Sequence, residues 1–213
     1  MLDIAVLVSG GGTNLQAIID RIADGSLSKV RIVGVIASRP GTVAEQRAVR
    51  ADIPVKIVCR KDAPDLAAYD RAVIAALSDW NPELIVLAGF LNLLGPAVVA
   101  TWRNRIINVH PSLIPSFCGP GYYGIRPHEA VLASGVRVTG ATVHIVNEEY
   151  DQGPIILQKA VTVHADDTPQ TLQLRVMQEA EQVILPKAIA LFAAGRIQIE
   201  DRKAIILGGT END

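Results

Sequence analysis

Few of the usual signs of secretion, metal binding or nucleic-acid binding are present in this chain. Only two of its 213 residues are cysteine, Cys59 and Cys118. That is too few for a disulfide framework, and no Cys-x-x-Cys spacing marks a metal site. Aromatic residues make up 4%, so aliphatic side chains have to fill the interior. Neither sign of charge is in excess: 20 Lys and Arg stand against 22 Asp and Glu, a net −2, without the basic footprint of a nucleic-acid partner. The N-terminus lacks a charged n-region and a cleavage site. Its apolar run, Ile4 to Val8, is far too short to span a membrane. These absences make a reducing cytoplasm the expected setting, with neither nucleic acid nor membrane as partner.

What is abundant is Ala, Val, Ile and Leu. Hydrophobic residues reach 49%, and the mean hydropathy is +0.28. The length suits one domain with a full core. Strands buried on both faces read as unbroken apolar runs rather than alternating ones, and such runs occur at Ile4–Val8, Val30–Ile36, Val55–Val58, Leu84–Leu87 and Arg105–Val109. Helix-period segments separate them at Asn14–Ala23 (Thr13 as N-cap), Thr42–Ala51, Ala67–Asp79 and Pro96–Thr101. This β-α alternation predicts an α/β fold with a doubly wound, mostly parallel twisted sheet. The second half changes style. Longer strands at Val138–Val146 and Ile155–Val163 flank the acidic loop Asn147–Gly153, so antiparallel pairing is expected there. A long helix from about Pro169 to Ala194 ends at Gly195, and Ile197–Ile199 with Ala204–Ile206 suits a small hairpin before a mobile tail, Gly208–Asp213.

Several polar clusters fall where these strands end. Asn108 and His110 are two apart at the end of the fifth strand, so both project from one face, and Pro111 turns the chain away. An amide and an imidazole side by side suit stabilisation of an oxyanion and proton transfer. A carboxylate such as Asp151 could orient the ring or raise its pKa. Taken singly, each of these residues is more often a cap, a turn residue or a satisfied polar group. The run Ser9-Gly10-Gly11-Gly12-Thr13-Asn14 joins the first strand to the first helix. It suits either a tight turn or a phosphate site, where backbone N–H groups and a helix N-terminus face an anion. It is neither a P-loop nor a full dinucleotide fingerprint, because the Gly-Lys-[Ser/Thr] ending is missing and Leu15 replaces the third glycine. Leu87–Leu94 is apolar, bends at Gly89 and leaves the carboxyl edge of the fourth strand, a position for core packing or for a ligand. Gln178 and Glu181 are spaced to share a helix face. The segment 116–128, rich in Gly and Pro, reads as a lid or clamping loop, or as a rigid surface excursion. Nothing around Cys118 marks it as a nucleophile.

The strings Asn108-Val109-His110-Pro111-Ser112-Leu113-Ile114-Pro115, Val138-Thr139-Gly140-Ala141-Thr142-Val143-His144 and Asp151-Gln152-Gly153-Pro154-Ile155-Ile156 resemble, in order and spacing, those of the folate-dependent formyltransferase family. The likeness runs from about Ile4 to Arg196. It implies a single formyltransferase domain over residues 1–213, Rossmann-like in its N-terminal half. That half, about 1–100, would hold the phosphate, and the other, about 101–200, the catalytic residues. The implied activity is transfer of the formyl group from 10-formyltetrahydrofolate to the amine of 5-phosphoribosylglycinamide, without a metal or a covalent enzyme intermediate.

The resemblance also assigns roles. Asn108 and His110 would stabilise the oxygen of the tetrahedral intermediate, His110 best as the imidazolium, which Asp151 would favour while assisting proton movement. Gly12, Thr13 and Asn14 would hold the ribonucleotide phosphate, and Gln178 and Glu181 its ribose or amine. Leu91, Asn92, Leu93 and Leu94 would line the pterin pocket, with Asn108 also beside the folate. Two positions depart from the family: Asn92 and Leu66 stand where Arg is frequent. Main-chain contact is therefore expected at Asn92. Near the missing Leu66 contact Arg60 or Lys61 would substitute, or both are solvated surface charges. Within the superfamily, a methionyl-tRNA formyltransferase is expected to add a C-terminal RNA-binding domain, and a formyltetrahydrofolate deformylase an N-terminal regulatory one. Neither is read here, and an inactive folate- or nucleotide-binding regulator is the non-enzymatic alternative. A monomer and a homodimer both remain open.

Overall fold

Runs of β-branched and aliphatic residues become the interior strands, with the punctuation between them supplied by helix caps. The computed structural model describes residues 1–208, and its chain divides into two units, Met1–Asn108 and Val109–Asp213. The expectation for the tail falls, from Gly209 on, outside the described residues.

In the first unit the order is β1 (Leu2–Val8), α1 (Thr13–Ala23), β2 (Val30–Ala37), α2 (Val43–Arg50), β3 (Val55–Ile57), a 3-10 turn (Arg60–Asp62), α3 (Leu66–Ser78), β4 (Leu84–Leu87), α4 (Pro96–Thr101) and the start of β5 (Ile106–His110). The strands lie in the order β3-β2-β1-β4-β5, every neighbouring pair parallel. Ile4 to Val8 and all of β4 are buried, which explains their unbroken apolar sequence. The order reverses between β1 and β4, and in such sheets ligands bind outside the carboxyl ends at that point. The register Leu7↔Leu87 brings Ser9 and Gly89 off the sheet at one level, and the Ser9 N–H donates to the Gly89 carbonyl at 3.2 Å. Helix starts follow side-chain caps: Thr42 Oγ1 accepts the Glu45 N–H at 3.1 Å, and Asp65 Oδ1 accepts that of Ala68 at 2.7 Å. Buried Asp70 caps α4 from a distance, accepting the N–H groups of Gly95 at 2.7 Å and Ala97 at 3.0 Å.

In the second unit come α5 (Arg126–Ser134), β6 (Val138–Ile145), β7 (Ile155–Thr162), α6 (Pro169–Val176), a π-helical segment (Met177–Glu181), α7 (Gln182–Ala193), β8 (Ile197–Glu200) and β9 (Lys203–Ile206). β6 and β7 pair antiparallel, as do β8 and β9. The fold is thus α/β, mostly parallel with an antiparallel pair in the C-terminal half, as the element order predicts. Two differences have physical reasons. The glycines and prolines of 116–128 suggest irregular backbone throughout, yet α5 begins at Arg126, because Pro127 sits in the first turn where a missing N–H costs nothing. The long helix expected from Pro169 is interrupted: Pro186 lies inside α7, its ring crowds the carbonyl four residues back, and the turn just before is the widened π segment. Gly195 has φ +66° and ends α7 as expected. No helix among the described residues is long and apolar enough to cross a membrane.

Candidate active site

At the end of β1 the chain turns through Ser9-Gly10-Gly11 into α1. The helix begins at Thr13, with Gly12 as its N-cap in the left-handed region (φ 68°) and no side chain capping it, rather than with Thr13 as cap. Its first turn carries no acidic residue, so the partial positive charge of the helix start is not neutralised there. Arg47 adds to it, donating from Nε to the Gly11 carbonyl at 2.9 Å and from Nη1 to Gln16 at 2.9 Å. The three glycines differ. A Cβ on Gly10 or Gly11 meets nothing within 4 Å, whereas one on Gly12 would stand 2.6 Å from Ala44 Cβ. The open approach lies over Gly10 and Gly11, and Gly12 is required by packing against α2. Thr13 is half-buried and Asn14 buried.

The segment after β4 bends at Gly89 (φ 68°). Ser9 Oγ accepts the Leu91 N–H at 2.9 Å and the Ser38 hydroxyl at 2.8 Å, joining the glycine turn to the apolar segment. Leu91 and Leu93 are each 53% exposed, whereas Leu94 is buried. The first two thus present apolar surface to solvent, and Leu94 belongs to the core. The Asn92 side chain does not stand apart from its surroundings: Nδ2 donates to the Tyr69 hydroxyl at 3.2 Å, and Tyr69 is fully buried. Arg60 reaches the same ring, its guanidinium 5.9 Å from the centroid, and donates to the Ala63 carbonyl at 3.0 Å. It is a locally braced cation rather than a free surface charge.

Asn108 and His110 are alternate residues near the end of β5 and so share a face. His110 is buried. Its Nε2 lies 3.0 Å from the Phe117 carbonyl and its Nδ1 3.7 Å from Asp151 Oδ2. The same Oδ2 accepts the Gly119 N–H at 2.8 Å. Asp151 sits in the left-handed region, φ 54°, which Asp tolerates better than most residues. Gly153 lets this turn lie against β6, since a Cβ there would fall 1.8 Å from the Ile145 carbonyl. On the other side of the carboxylate, His144 Nε2 is 3.6 Å from Asp151 Oδ1, and its Nδ1 is 2.9 Å from the Ile145 carbonyl.

The electrostatics refine the expectation for His110. Burial holds its pKa below the ordinary 6.5, against the Phe117 carbonyl and Asp151, which raise it, and with His144, which lowers it further. Asp151 therefore acts in the expected direction, but desolvation wins, and the resting ring is neutral at neutral pH. For Asp151 the balance reverses. Burial raises its pKa, but His144, His110 and the Gly119 N–H together hold it below 3.8. His128 in α5 is fully buried, neither ring nitrogen has a hydrogen-bond partner, and burial, then the charge of His110, push it down to about 4. Burial and Asp151 push the Cys118 thiol up, which suits its reading as a non-nucleophile. No group of three or more His, Cys, Asp or Glu among the described residues is arranged to hold a metal ion.

Gln178 and Glu181 fall in the π-helical segment. Its wider turn moves residues three apart off a common face, so the α-helical spacing argument does not hold for them. Gln178 is exposed and Glu181 half-buried. Sequence reasoning passed over two residues of the His110 cluster. His144 had a signal, since it ends the string from Val138 to His144 that resembles the formyltransferase family. His128 had none, since the surrounding glycines and prolines hide the helix that carries it.

The chain matches the family described as formyl transferase over residues 2–189. It is 43% identical over 196 residues to the trifunctional purine biosynthetic protein adenosine-3 of Gallus gallus, covering 92% of this chain but 19% of that protein, so it spans a small part of such relatives. To the phosphoribosylglycinamide formyltransferase of Escherichia coli strain K12 it is 36% identical over 207 residues, covering 97% of this chain and 94% of the other. The crystal structure of glycinamide ribonucleotide transformylase 1 from Symbiobacterium toebii superposes with a TM-score of 0.91 at 40% identity, covering 97% of this chain and 94% of that one. With the match running through both units and along nearly the whole of comparable single-function relatives, the chain belongs to the formyl transferase family.

Proposed function

We propose that this protein transfers the formyl group of 10-formyltetrahydrofolate to the amine of 5-phosphoribosylglycinamide, giving 5-phosphoribosyl-N-formylglycinamide and tetrahydrofolate in de novo purine biosynthesis. The observation that carries the reading is the approach of the Asp151 carboxylate to within 3.7 Å of His110 Nδ1, on a strand end that also bears Asn108. Asn108 offers an amide N–H to the oxygen that gains charge as the amine adds. His110, kept neutral by burial, takes up a proton during that addition. Its charged form then has an acceptor at each nitrogen, Phe117 O and Asp151, and it returns the proton to the departing folate nitrogen. No metal or covalent enzyme intermediate enters this scheme.

In the first unit, the open backbone at Gly10 and Gly11 and the uncapped start of α1 suit a phosphate, with Gly12, Thr13 and Asn14 forming the turn. The exposed Leu91 and Leu93 suit a pterin face, supported by Leu94, Asn92 and Arg60. In the second, Gln178 and Glu181 are assigned to the ribonucleotide on the family likeness alone. Residues 1–213 are read as one formyltransferase domain, acting in the cytoplasm as a monomer or homodimer. The test is spectrophotometric release of the folate product. Release that depends on added phosphoribosylglycinamide supports the proposal. Release without it identifies a deformylase, and folate binding without turnover identifies a regulator.

A further inference from the structure

His144 is the buried polar group that this mechanism leaves unused. It lies on β6 where the pairing with β7 slips in register between Val143 and His144, and such bulges re-aim a side chain. The Ile145 carbonyl, 2.9 Å from Nδ1, can only accept, so Nδ1 carries a hydrogen. Nε2 is thereby left facing Asp151 Oδ1 at 3.6 Å, and that approach is favourable when a proton lies between the two. His110 has the same arrangement from the opposite oxygen, with a carbonyl on one nitrogen and the carboxylate on the other. Two imidazoles thus flank one carboxylate, and their four nitrogens all face acceptors. Two neutral rings bring only two hydrogens to those positions, so a further proton has a place on either side of Asp151.

We propose that His144 is a positioning residue of the transfer reaction, which holds the Asp151 carboxylate in charge and orientation toward His110 from the oxygen His110 does not use. The inference rests on the reading of His110 and Asp151 as the catalytic pair. Of the influences that keep Asp151 ionised against its burial, His144 is the largest, ahead of His110 and the Gly119 N–H. The other titratable groups that sense this carboxylate are Cys118 and Tyr150, both raised in part by its charge, while His128 senses His110. None of these offers a hydrogen to Oδ1.

The experiment compares His144→Leu, His144→Gln, Asp151→Asn and the His144→Leu/Asp151→Asn double variant by kcat, both KM values and pH profile. His144→Leu is expected to lower kcat about 10-fold or more, below the full 10² to 10⁴ of a proton-transfer group, with both KM values nearly unchanged. Its acid limb moves to higher pH, because Asp151 and His110 both titrate higher without the His144 ring. His144→Gln, whose amide N–H can still reach Oδ1, recovers much of the loss. In the Asp151→Asn background His144→Leu costs nothing more, which a merely structural role would not produce. A His144→Leu enzyme with normal kcat and pH profile, beside an inactive Asp151→Asn, overturns this proposal and leaves the catalytic pair standing. An active Asp151→Asn overturns the pair itself. If thermal melts show both His144 variants unfolded, 15N-histidine NMR of the unmodified protein decides: a His144 Nε2 that never carries hydrogen between pH 5 and 9 overturns the proposal.

Discussion

The backbone N–H of Leu91 donates to Ser9 Oγ at 2.9 Å, joining the apolar segment after β4 to the glycine turn after β1. The same hydroxyl accepts from Ser38 at 2.8 Å, so three strand ends are held by one oxygen. Ser9→Ala removes that acceptor and leaves the Leu91 amide without it. The expected result is a loss of about 1 kcal/mol of stability, the usual worth of one such bond, together with raised KM for both substrates. Urea unfolding and steady-state kinetics check it. An unchanged KM for each would mean that the brace does not serve ligand binding.

The glycine turn gives a sharper test. Gly11→Val places a side chain in open space over the backbone N–H groups assigned to the phosphate. It should raise KM for the ribonucleotide well above any change for the folate, with little change in Tm. Gly12→Val is expected to lower Tm instead, since its Cβ meets Ala44 at 2.6 Å and its φ is +68°. The contrast separates a binding defect from a packing defect. Equal KM effects of Gly11→Val on both substrates argue against a phosphate there.

Asn92 and Leu93 divide the segment proposed to bind the folate into brace and surface. Asn92→Ala breaks the 3.2 Å bond to the buried Tyr69 hydroxyl and should cost about 1 kcal/mol in stability, with folate affinity changed less than that. Leu93→Asp puts a carboxylate on an exposed apolar position, where the fold tolerates it but a stacked ring would desolvate it. Titration of a folate analogue should show strong weakening in Leu93→Asp alone. Normal binding there places the pocket elsewhere.

The contrast between Leu94 and Leu93 illustrates what the sequence could and could not convey. The five parallel strands were legible because burial on both faces demands unbroken aliphatic runs, and their ends were placed to within one or two residues. The alternation of Asn108 and His110 on β5 was legible for the same reason, since strand periodicity is local. Which leucine of a four-residue apolar loop turns outward is decided by Gly89 and the Ser9 hydroxyl, and neither carries a local pattern. The helix α5 was hidden by the glycines and prolines around it, and the burial of His128 and the approach of His144 to Asp151 depend on tertiary packing. The sequence reads as one unbroken helix from about Pro169 to Ala194, although Pro186 lies inside it, and the widened turn before that proline was missed.

His110→Ala and Asp151→Asn should each lower kcat by roughly 10²-fold or more while the protein remains folded. The pH dependence follows from burial of the ring. With the neutral form as base and a pKa held below 6.5, kcat/KM should stay level as pH falls to 6.5 and decline only at lower pH, where the buried ring takes up its proton. Circular dichroism establishes folding and initial rates give the profile. Near-normal turnover in both variants removes the pair from the mechanism.

His128 predicts an acid sensitivity of the fold itself. Its ring is buried without a hydrogen-bond partner and titrates at about 4 rather than the ordinary 6.5. Between those two values the unfolded chain binds a proton that the folded protein refuses. Stability is therefore full above pH 6.5 and falls as pH drops toward about 4, by at most about 1.4 kcal/mol per pH unit for one such group. His128→Phe keeps a ring of similar shape without the titrating nitrogens, so its stability should fall less between pH 7 and 5. Replacing a desolvated, partnerless imidazole with an apolar ring should also cost little at pH 7. Urea unfolding of both proteins at pH 7, 6 and 5 gives the slopes directly, and parallel slopes would falsify the assignment of this sensitivity to His128.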